Sequence, residues 1–384
     1  MQQRAARDDS YDFGRWLFQY NSALLLGMRI SGDLRLLDEV DLVAQTMRAQ
    51  LRDGWCGGRS GGVEVNVRYG TVSVPDGYLN FRWRGEHSLH HCRDTADLDE
   101  GLIHGHLALV MYAYHANRHL ESPSGIDYGE RAEFWLDYLR NHFEAKWRGR
   151  SSTRWPAMDF IDAKFCHTYL QMTLFHYFVG KRLQDDGSED AGPYLRQALR
   201  LSDGMFDVPY IPGEQPGGFV DVQTPLGEAV VYSFGAPGDV DVTPTHLEGC
   251  AMTYARYMLA SVLNLRLESF SRWDDDIMTK IARGLAHFML DTDDVTERSE
   301  PFAAGVAGDE GAAGIAGTEY RTRSSAADFN LAPFAAFAAW DSSGRIADLT
   351  LQVLEEEEPD QDRPEQVFIA ASMLFVATVS TDRR

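Results

Sequence analysis

Leu107-Ala-Leu-Val-Met-Tyr-Ala-Tyr114 decides the fold, because this stretch is apolar on every side when it is wound as a helix. A helix without a polar face is buried inside a protein, whereas an amphipathic helix lies between core and solvent. Segments 169–178 and 334–340 repeat the buried pattern, and segments 131–140 and 278–285 are amphipathic. This alternation predicts an all-α fold. We expect an α/α toroid, an incomplete barrel of about five to seven helical hairpins with short β-hairpin insertions.

Apolar residues at helical spacing divide the chain into paired helices. The predicted pairs are 12–30 with 34–51, 98–120 with 128–146, 160–183 with 190–206, 246–265 with 272–290, and 327–340 with 345–357, and a single helix follows at 364–380. Glycines and alternating apolar residues predict a β-hairpin within 54–80, and 229–234 is strand-like. A multi-helix array that does not close into a ring is the alternative architecture.

The chain has 384 residues, of which 44% are hydrophobic, and a formal net charge of −22. We expect a single α/α-toroid catalytic domain, 1–384, whose insertions 54–97, 207–243 and 300–325 form the face of a cleft. The negative charge argues against nucleic acid or an anionic membrane as a partner, since both need a basic surface. No apolar run reaches the roughly 18–20 residues of a membrane span, and the N-terminus lacks the apolar region of a signal peptide. The expected location is the cytoplasm, or outside it if a signal peptide has been removed from a secreted or periplasmic protein. The sequence leaves the oligomeric state open.

Four loops that lead into apolar helices carry most of the basic and aromatic candidates. The first loop, 82–99, holds three histidines and three arginines just before helix 98–120. The N-terminus of a helix offers free N–H groups and partial positive charge, which favour a bound anion. The other loops precede helices 160–183, 246–265 and 327–340, and we expect all four to converge on one pocket.

The candidate residues in this pocket suit an acidic sugar. Tryptophan can cover the apolar face of a pyranose, and arginine grips a carboxylate with two parallel hydrogen bonds. The predicted substrate-binding residues are Trp83, Arg84, His87, His90, Arg93, Arg154, Trp155, Lys164, Tyr257 and Arg321. The predicted catalytic residues are His91, His167, His246, Tyr254, Tyr320 and Arg323.

Two reactions would use such a pocket. In β-elimination from a uronate, Arg, His or Asn neutralises the carboxylate, and Tyr or His removes the C5 proton and protonates the leaving oxygen. The residue types in the loops favour this reaction. Hydrolysis by a pair of carboxylates is the alternative. Its candidates are Asp94, Asp97, Asp99, Asp159 and Asp162.

No cofactor or metal ion is expected. Five histidines cluster in sequence, but their HxxHH and HxH spacings are weak signals for a metal site. His104 and His106 lie two apart on a helix and cannot face the same point. The four cysteines form no CxxC pair and are expected to be free thiols. A third possibility is a terpenoid-type cyclase or a non-catalytic binding protein, although basic loops suit an apolar substrate poorly.

In architecture and site composition, the chain resembles the α/α-toroid polysaccharide lyases that cleave uronate polymers. It is similar in size to members of polysaccharide lyase family 38, which lack the β-sandwich of heparinase-type relatives. The resemblance implies a lyase that acts on alginate, polymannuronate or glucuronan, with an acidic polysaccharide or oligosaccharide as its partner. The unsaturated uronyl hydrolases are also α/α toroids, and they imply hydrolysis through aspartates instead.

The resemblance also suggests roles for particular residues. The family's inner-helix histidine corresponds to His246, and its later arginine and tyrosine correspond to Tyr320 with Arg321 and Arg323, in reversed order. The family has an Asn-His dipeptide, whereas Thr245 precedes the histidine in this chain. The catalytic tyrosine is therefore left open among Tyr320, Tyr254 and Tyr257.

Overall fold

The computed structural model of the chain describes residues 17–53, 55–56, 59–60, 63–67, 70–74, 76–81, 98–149, 166–206, 219–232, 252–286, 334–356 and 364–382. Helices hold 72% of these residues, which confirms the all-α prediction. The chain clusters into two compact units. Unit 1 comprises Met1–Lys164 and Gln171–Leu201, and unit 2 comprises Phe165–Leu170 and Ser202–Arg384. The prediction of a single domain over 1–384 stays a prediction.

Unit 1 begins with a helical hairpin. Helix α1 (Phe18–Ser31) ends at Gly32, whose left-handed φ of 70° lets its N–H bond the carbonyl of Met28 at 2.7 Å. Helix α2 (Arg35–Arg48) follows after this short turn, and its buried residues lie along one stripe. Helix α1 is instead buried on nearly every side through its first two turns. The first hairpin therefore has the buried and amphipathic members that the sequence predicts.

Short antiparallel strand pairs follow in unit 1. Strands β1 (Arg52–Asp53) and β6 (Leu79–Asn80) pair at the base, and β2 (Trp55–Cys56) pairs with β3 (Arg59–Ser60). The longest pair joins β4 (Val63–Val67) to β5 (Gly70–Val74), in the register Val63 opposite Val74. These strands confirm the predicted β-hairpin within 54–80. Residues 82–97, 207–218 and 233–243 of the predicted insertions, and all of 300–325, lie outside the described residues.

The second hairpin has a long buried helix and an interrupted partner. Helix α3 (Leu98–Ala116) is followed by α4 (Tyr128–Asp137), a π-helical segment (Tyr138–Glu144) and α5 (Ala145–Gly149). The predicted helix over 128–146 is present, but a π-helical stretch interrupts its α-helical winding. Positions five apart lie on different sides of an α-helix, and a π-helix brings them together. The π-segment thereby places Tyr138 and Phe143 against the same side chain of α3.

The third hairpin completes the described helices of unit 1. Helix α6 (Cys166–Asp185) is buried throughout 170–180, and α7 (Ala191–Gly204) is amphipathic. Gly180 of α6 lies against the side chains of Tyr194 and Leu195 of α7. The buried helices α1, α3 and α6 form an inner row, because α3 contacts α1 on one side and α6 on another. Helices α2, α4 and α7 form the outer row.

The π-segment is joined to the third hairpin by polar and aromatic contacts. Glu144 accepts a hydrogen bond from the hydroxyl of Tyr194, and the Arg140 guanidinium pairs with Asp190 at 2.7 Å. The ring of Phe143 meets Phe175 of α6 edge-on, with centroids 5.2 Å apart. These contacts fix the π-segment against both helices of the third hairpin.

Unit 2 contains strands β7 (Phe219–Thr224) and β8 (Gly227–Tyr232), helices α8 (Met252–Leu267) and α9 (Asp275–Gly284), a 3₁₀ helix (Ala335–Ala339), and helices α10 (Arg345–Glu356) and α11 (Pro364–Asp382). The β7–β8 hairpin pairs Phe219 with Tyr232 and packs on α9. It confirms the strand predicted at 229–234.

The predicted helix 327–340 is described only from residue 334, where it is a 3₁₀ helix rather than an α-helix. Side chains three apart eclipse one another in a 3₁₀ helix. Phe334, Phe337 and Trp340 have this spacing, and all three are buried. The indole N–H of Trp340 then donates to Asp275 at 2.8 Å, which ties the segment to α9. The aromatic spacing therefore accounts for the tighter winding.

Candidate functional site

Three consecutive residues near the middle of α3 contact three different elements of unit 1. His104 hydrogen-bonds the hydroxyl of Tyr138 at 2.9 Å, and His106 hydrogen-bonds the side chain of Asn21 at 3.0 Å. Between them, Gly105 lies against the backbone of Gln171 in α6. An α-helix turns about 100° per residue, so three successive positions face three directions. The two histidines therefore serve separate environments, as their spacing requires.

Gly105 allows α3 and α6 to approach closely. A Cβ atom placed on this glycine would lie 2.2 Å from the carbonyl oxygen of Gln171. No side chain fits at that distance, because real Cβ contacts lie beyond 3.0 Å. The close approach holds the two histidines at the level where α1, α3 and α6 meet.

The His104–Tyr138 pair is enclosed by aromatic rings. The imidazole of His104 stacks on Phe143 with a centroid distance of 3.7 Å and an interplanar angle of 7°. Phe81, the residue after β6, covers the pair, with ring centroids 6.2 Å from His104 and 5.8 Å from Tyr138. Only 1% of either residue is exposed. This pair therefore locks α3 to the π-segment and offers no access to a polymer.

The His106–Asn21 pair differs because part of its hydrogen-bonding capacity is unused. Both side chains are fully buried, and Phe18 meets the imidazole edge-on at 5.5 Å. Burial lowers the pKa of His106 to about 3, so this imidazole is neutral near pH 7. The amide nitrogen of Asn21 must donate to Nε2 of His106, which places the imidazole proton on Nδ1. The pair thus presents one N–H donor and one amide oxygen acceptor.

Two more buried polar side chains accompany this pair on α1. Gln19 and Ser22 are 0% and 1% exposed, and their side-chain polar atoms have no hydrogen-bond partner among the described residues. We call Gln19, Asn21, Ser22 and His106 the inner polar layer. Its members are all neutral hydrogen-bonding groups, and they lie on inner-row helices of unit 1.

A second polar cluster lies at the C-terminal end of α3. Nε2 of His115 is 3.3 Å from a carboxylate oxygen of Asp185, which also accepts a 3.4 Å hydrogen bond from Tyr112. The neighbouring Arg182 is buried and pairs with Glu133 of α4. Burial, followed by the positive charge of Arg182, lowers the pKa of His115. This cluster ties α3, α4 and α6 together.

Most residues predicted for the pocket lie outside the described residues. These are Trp83, Arg84, His87, His90, His91, Arg93, Arg154, Trp155, Lys164, His246, Tyr320, Arg321 and Arg323. His167 is the second residue of α6, and Tyr254 is the third residue of α8. Tyr257, also in α8, is fully buried. The predicted roles of all these residues stay predictions.

The inner polar layer was missed by sequence reasoning. Apolar spacing alone predicts helix 12–30, and it does not single out the polar residues Gln19, Asn21 and Ser22. A signal was present, since polar residues on a helix that is otherwise apolar on every side must be buried. Their partner His106 follows 85 residues later than Asn21, and no local pattern joins the two.

Within the described ranges, no group of three or more His, Cys, Asp or Glu side chains could hold a metal ion. No helix in the same ranges is long and apolar enough to cross a membrane. In comparisons with known proteins, no family model, curated protein or solved structure matches the chain.

Proposed function

We propose that the chain is an α/α-toroid polysaccharide lyase that cleaves a uronate polymer such as alginate, polymannuronate or glucuronan by β-elimination. The observation that supports this most is the inner row of unit 1. Three successive hairpins each set a buried helix behind an amphipathic one, and the buried helices carry histidine, asparagine and glutamine. A toroid repeats this arrangement until the inner row closes, which leaves a central cleft between the loops.

The proposed chemistry assigns charge to the loops and not to the inner helices. Burial keeps His106 neutral, so it cannot balance the charge of a uronate carboxylate. A guanidinium remains charged at any relevant pH and binds a carboxylate with paired hydrogen bonds. Carboxylate neutralisation is therefore assigned to Arg321 and Arg323 with His246, and proton transfer to Tyr320 or Tyr254. Tyr257, the third tyrosine considered, is fully buried and, like Tyr138, offers no access to a polymer. The reaction requires no cofactor in this scheme.

The first experiment is ultraviolet absorbance over time with alginate, polymannuronate, polyguluronate, glucuronan and glycosaminoglycans. Elimination creates a conjugated unsaturated uronate, so a rising signal is expected with at least one polymer. Replacing the base or acid should lower kcat by about 10²–10⁴-fold. Tyr320→Phe, Tyr254→Phe and Tyr257→Phe would be compared for this loss.

His246→Ala should also lower activity strongly, and His119→Ala is its matched control. His119 is exposed in the turn that follows α3, and it has no assigned role. A flat absorbance trace with new reducing ends, lost on Asp→Asn exchange but retained in every Tyr→Phe variant, would contradict elimination and favour a hydrolase. A flat trace without new ends would reject both reactions on these polymers.

A further inference from the structure

Three members of the inner polar layer face one another between α1 and α3. Phe18 and Asn21 both contact His106, so this face of α1 points at the imidazole. Ser22 follows Phe18 by four residues and therefore shares that face. Gln19 lies two positions from Asn21, about 160° away around the helix, and belongs to another face of α1. Asn21, Ser22 and His106 are therefore the members that can share one occupant.

Five buried atoms of this layer have no hydrogen-bond partner among the described residues. They are Oε1 and Nε2 of Gln19, Oδ1 of Asn21, Oγ of Ser22 and Nδ1 of His106. Nearly all buried polar atoms in native proteins are bonded to protein groups or to ordered water. Buried waters typically make about three hydrogen bonds to groups of this kind.

We infer that the inner polar layer binds a small uncharged molecule whose O–H group can both donate and accept hydrogen bonds. We infer further that this molecule is water, with at least one water buried in the layer. Nδ1 of His106 offers a donor, and Oδ1 of Asn21 offers an acceptor, which are complementary to the two kinds of hydrogen bond that water makes. The hydroxyl of Ser22, on the same face, can donate or accept.

Charge and access select water over other occupants. Burial is the only cause of the lowered pKa of His106, and no ionised side chain contributes to it. A charged ligand would therefore have no counter-ion at this site. The exposed fractions of the four residues do not exceed 1%, so a sugar ring cannot enter from solvent. A water molecule is small enough to be enclosed between packed helices and can bond more than one of the three atoms that Asn21, Ser22 and His106 offer.

The test is oxygen-17 magnetic relaxation dispersion of the whole chain, which counts waters that stay bound as long as the protein takes to tumble. The double variant Asn21→Leu/His106→Leu replaces the polar pair by apolar groups and should lose at least one long-lived water. Ser372→Ala is the matched control. Ser372 in α11 is also buried with an unbonded hydroxyl among the described residues, but a single such atom does not make the two or more bonds that hold a water.

Equal dispersion amplitudes in the wild type and a folded double variant would overturn the inference. Far-ultraviolet circular dichroism checks that the variant is folded. If it is not, a high-resolution crystal structure of the wild type decides. A water within hydrogen-bond distance of both His106 Nδ1 and Asn21 Oδ1 is the expected result, and protein groups bonded to all five atoms would refute the site.

Discussion

Gly105→Ala tests whether the close approach of α3 and α6 organises the inner row of unit 1. The added Cβ atom would lie 2.2 Å from the carbonyl oxygen of Gln171 and 2.8 Å from its carbonyl carbon. Ordinary van der Waals contact begins near 3.4 Å, so the helices must separate by roughly 1 Å. The obstacle is backbone, which cannot rotate away as a flexible side chain can.

The magnitude follows from two opposing effects. Alanine is favoured over glycine inside a helix by about 1 kcal/mol. Overpacking a core costs about 1–3 kcal/mol and occasionally more, and a clash between Cβ and backbone belongs at the upper end of that range. The free energy of unfolding should therefore fall by about 2 kcal/mol. A shift of α3 would also strain the hydrogen bonds of His104 and His106 on either side of the glycine.

Urea unfolding, followed by far-ultraviolet circular dichroism and tryptophan fluorescence, measures this change. With a slope of about 2–3 kcal/mol per molar urea, the midpoint should fall by about 0.7–1 M. Gly27→Ala in α1 is the matched control, because its Cβ would meet only the flexible end of Leu36 at 3.2 Å. Its stability should stay the same or rise by up to about 1 kcal/mol. If Gly105→Ala were as stable as the wild type, the reasoning about α3 and α6 would be refuted.

Three further predictions concern a cap, a buried carboxylate and a histidine. Asp274→Ala removes the side chain that caps α9 and should lower stability by about 1 kcal/mol in urea unfolding, whereas Asp276→Ala should change it little. The carboxylate of Asp41 accepts hydrogen bonds from the hydroxyl of Tyr114 at 3.1 Å and from the guanidinium of Arg131 at 2.9 Å, so Asp41→Ala should cost about 2 kcal/mol, against about 1 kcal/mol for Tyr114→Phe. Equal costs would refute this shared role of the carboxylate. The pKa of His106 is about 3 in the folded chain and 6.5 without burial, so its contribution to stability is complete above pH 6.5 and is lost as the pH falls toward 3, by at most about 1.4 kcal/mol per pH unit. His106→Gln should flatten the decline of the urea midpoint between pH 6.5 and 4, and an unchanged slope would contradict the buried neutral imidazole.

Local sequence pattern was sufficient for the alternation of buried and amphipathic helices, since hydrophobic periodicity reports which face meets the core. It was not sufficient for the π-segment. Apolar residues in 128–146 fit one continuous helix, and the extra residue in the turn is explained by how Tyr138 and Phe143 meet His104. The 3₁₀ helix Ala335–Ala339 could have been recognised, because Phe334, Phe337 and Trp340 are spaced by exact steps of three. The apolar face of an α-helix alternates between steps of three and four. The Asn21–His106 hydrogen bond could not, because it joins residues 85 positions apart.

The inner polar layer also explains why the charged groups of the proposed active site should come from loops. A buried helix can carry asparagine, glutamine or neutral histidine at modest cost if each finds a hydrogen-bond partner, whereas an ionised group needs a counter-charge or solvent. The pKa of His106 illustrates this limit, since burial alone keeps the imidazole uncharged. Neutralising a uronate carboxylate requires a full positive charge, so the inner helices can position the loops but cannot replace their arginines. In the proposed lyase the two tasks would be separate: helices such as α3 would provide rigidity, and the charge is assigned to Arg321 and Arg323.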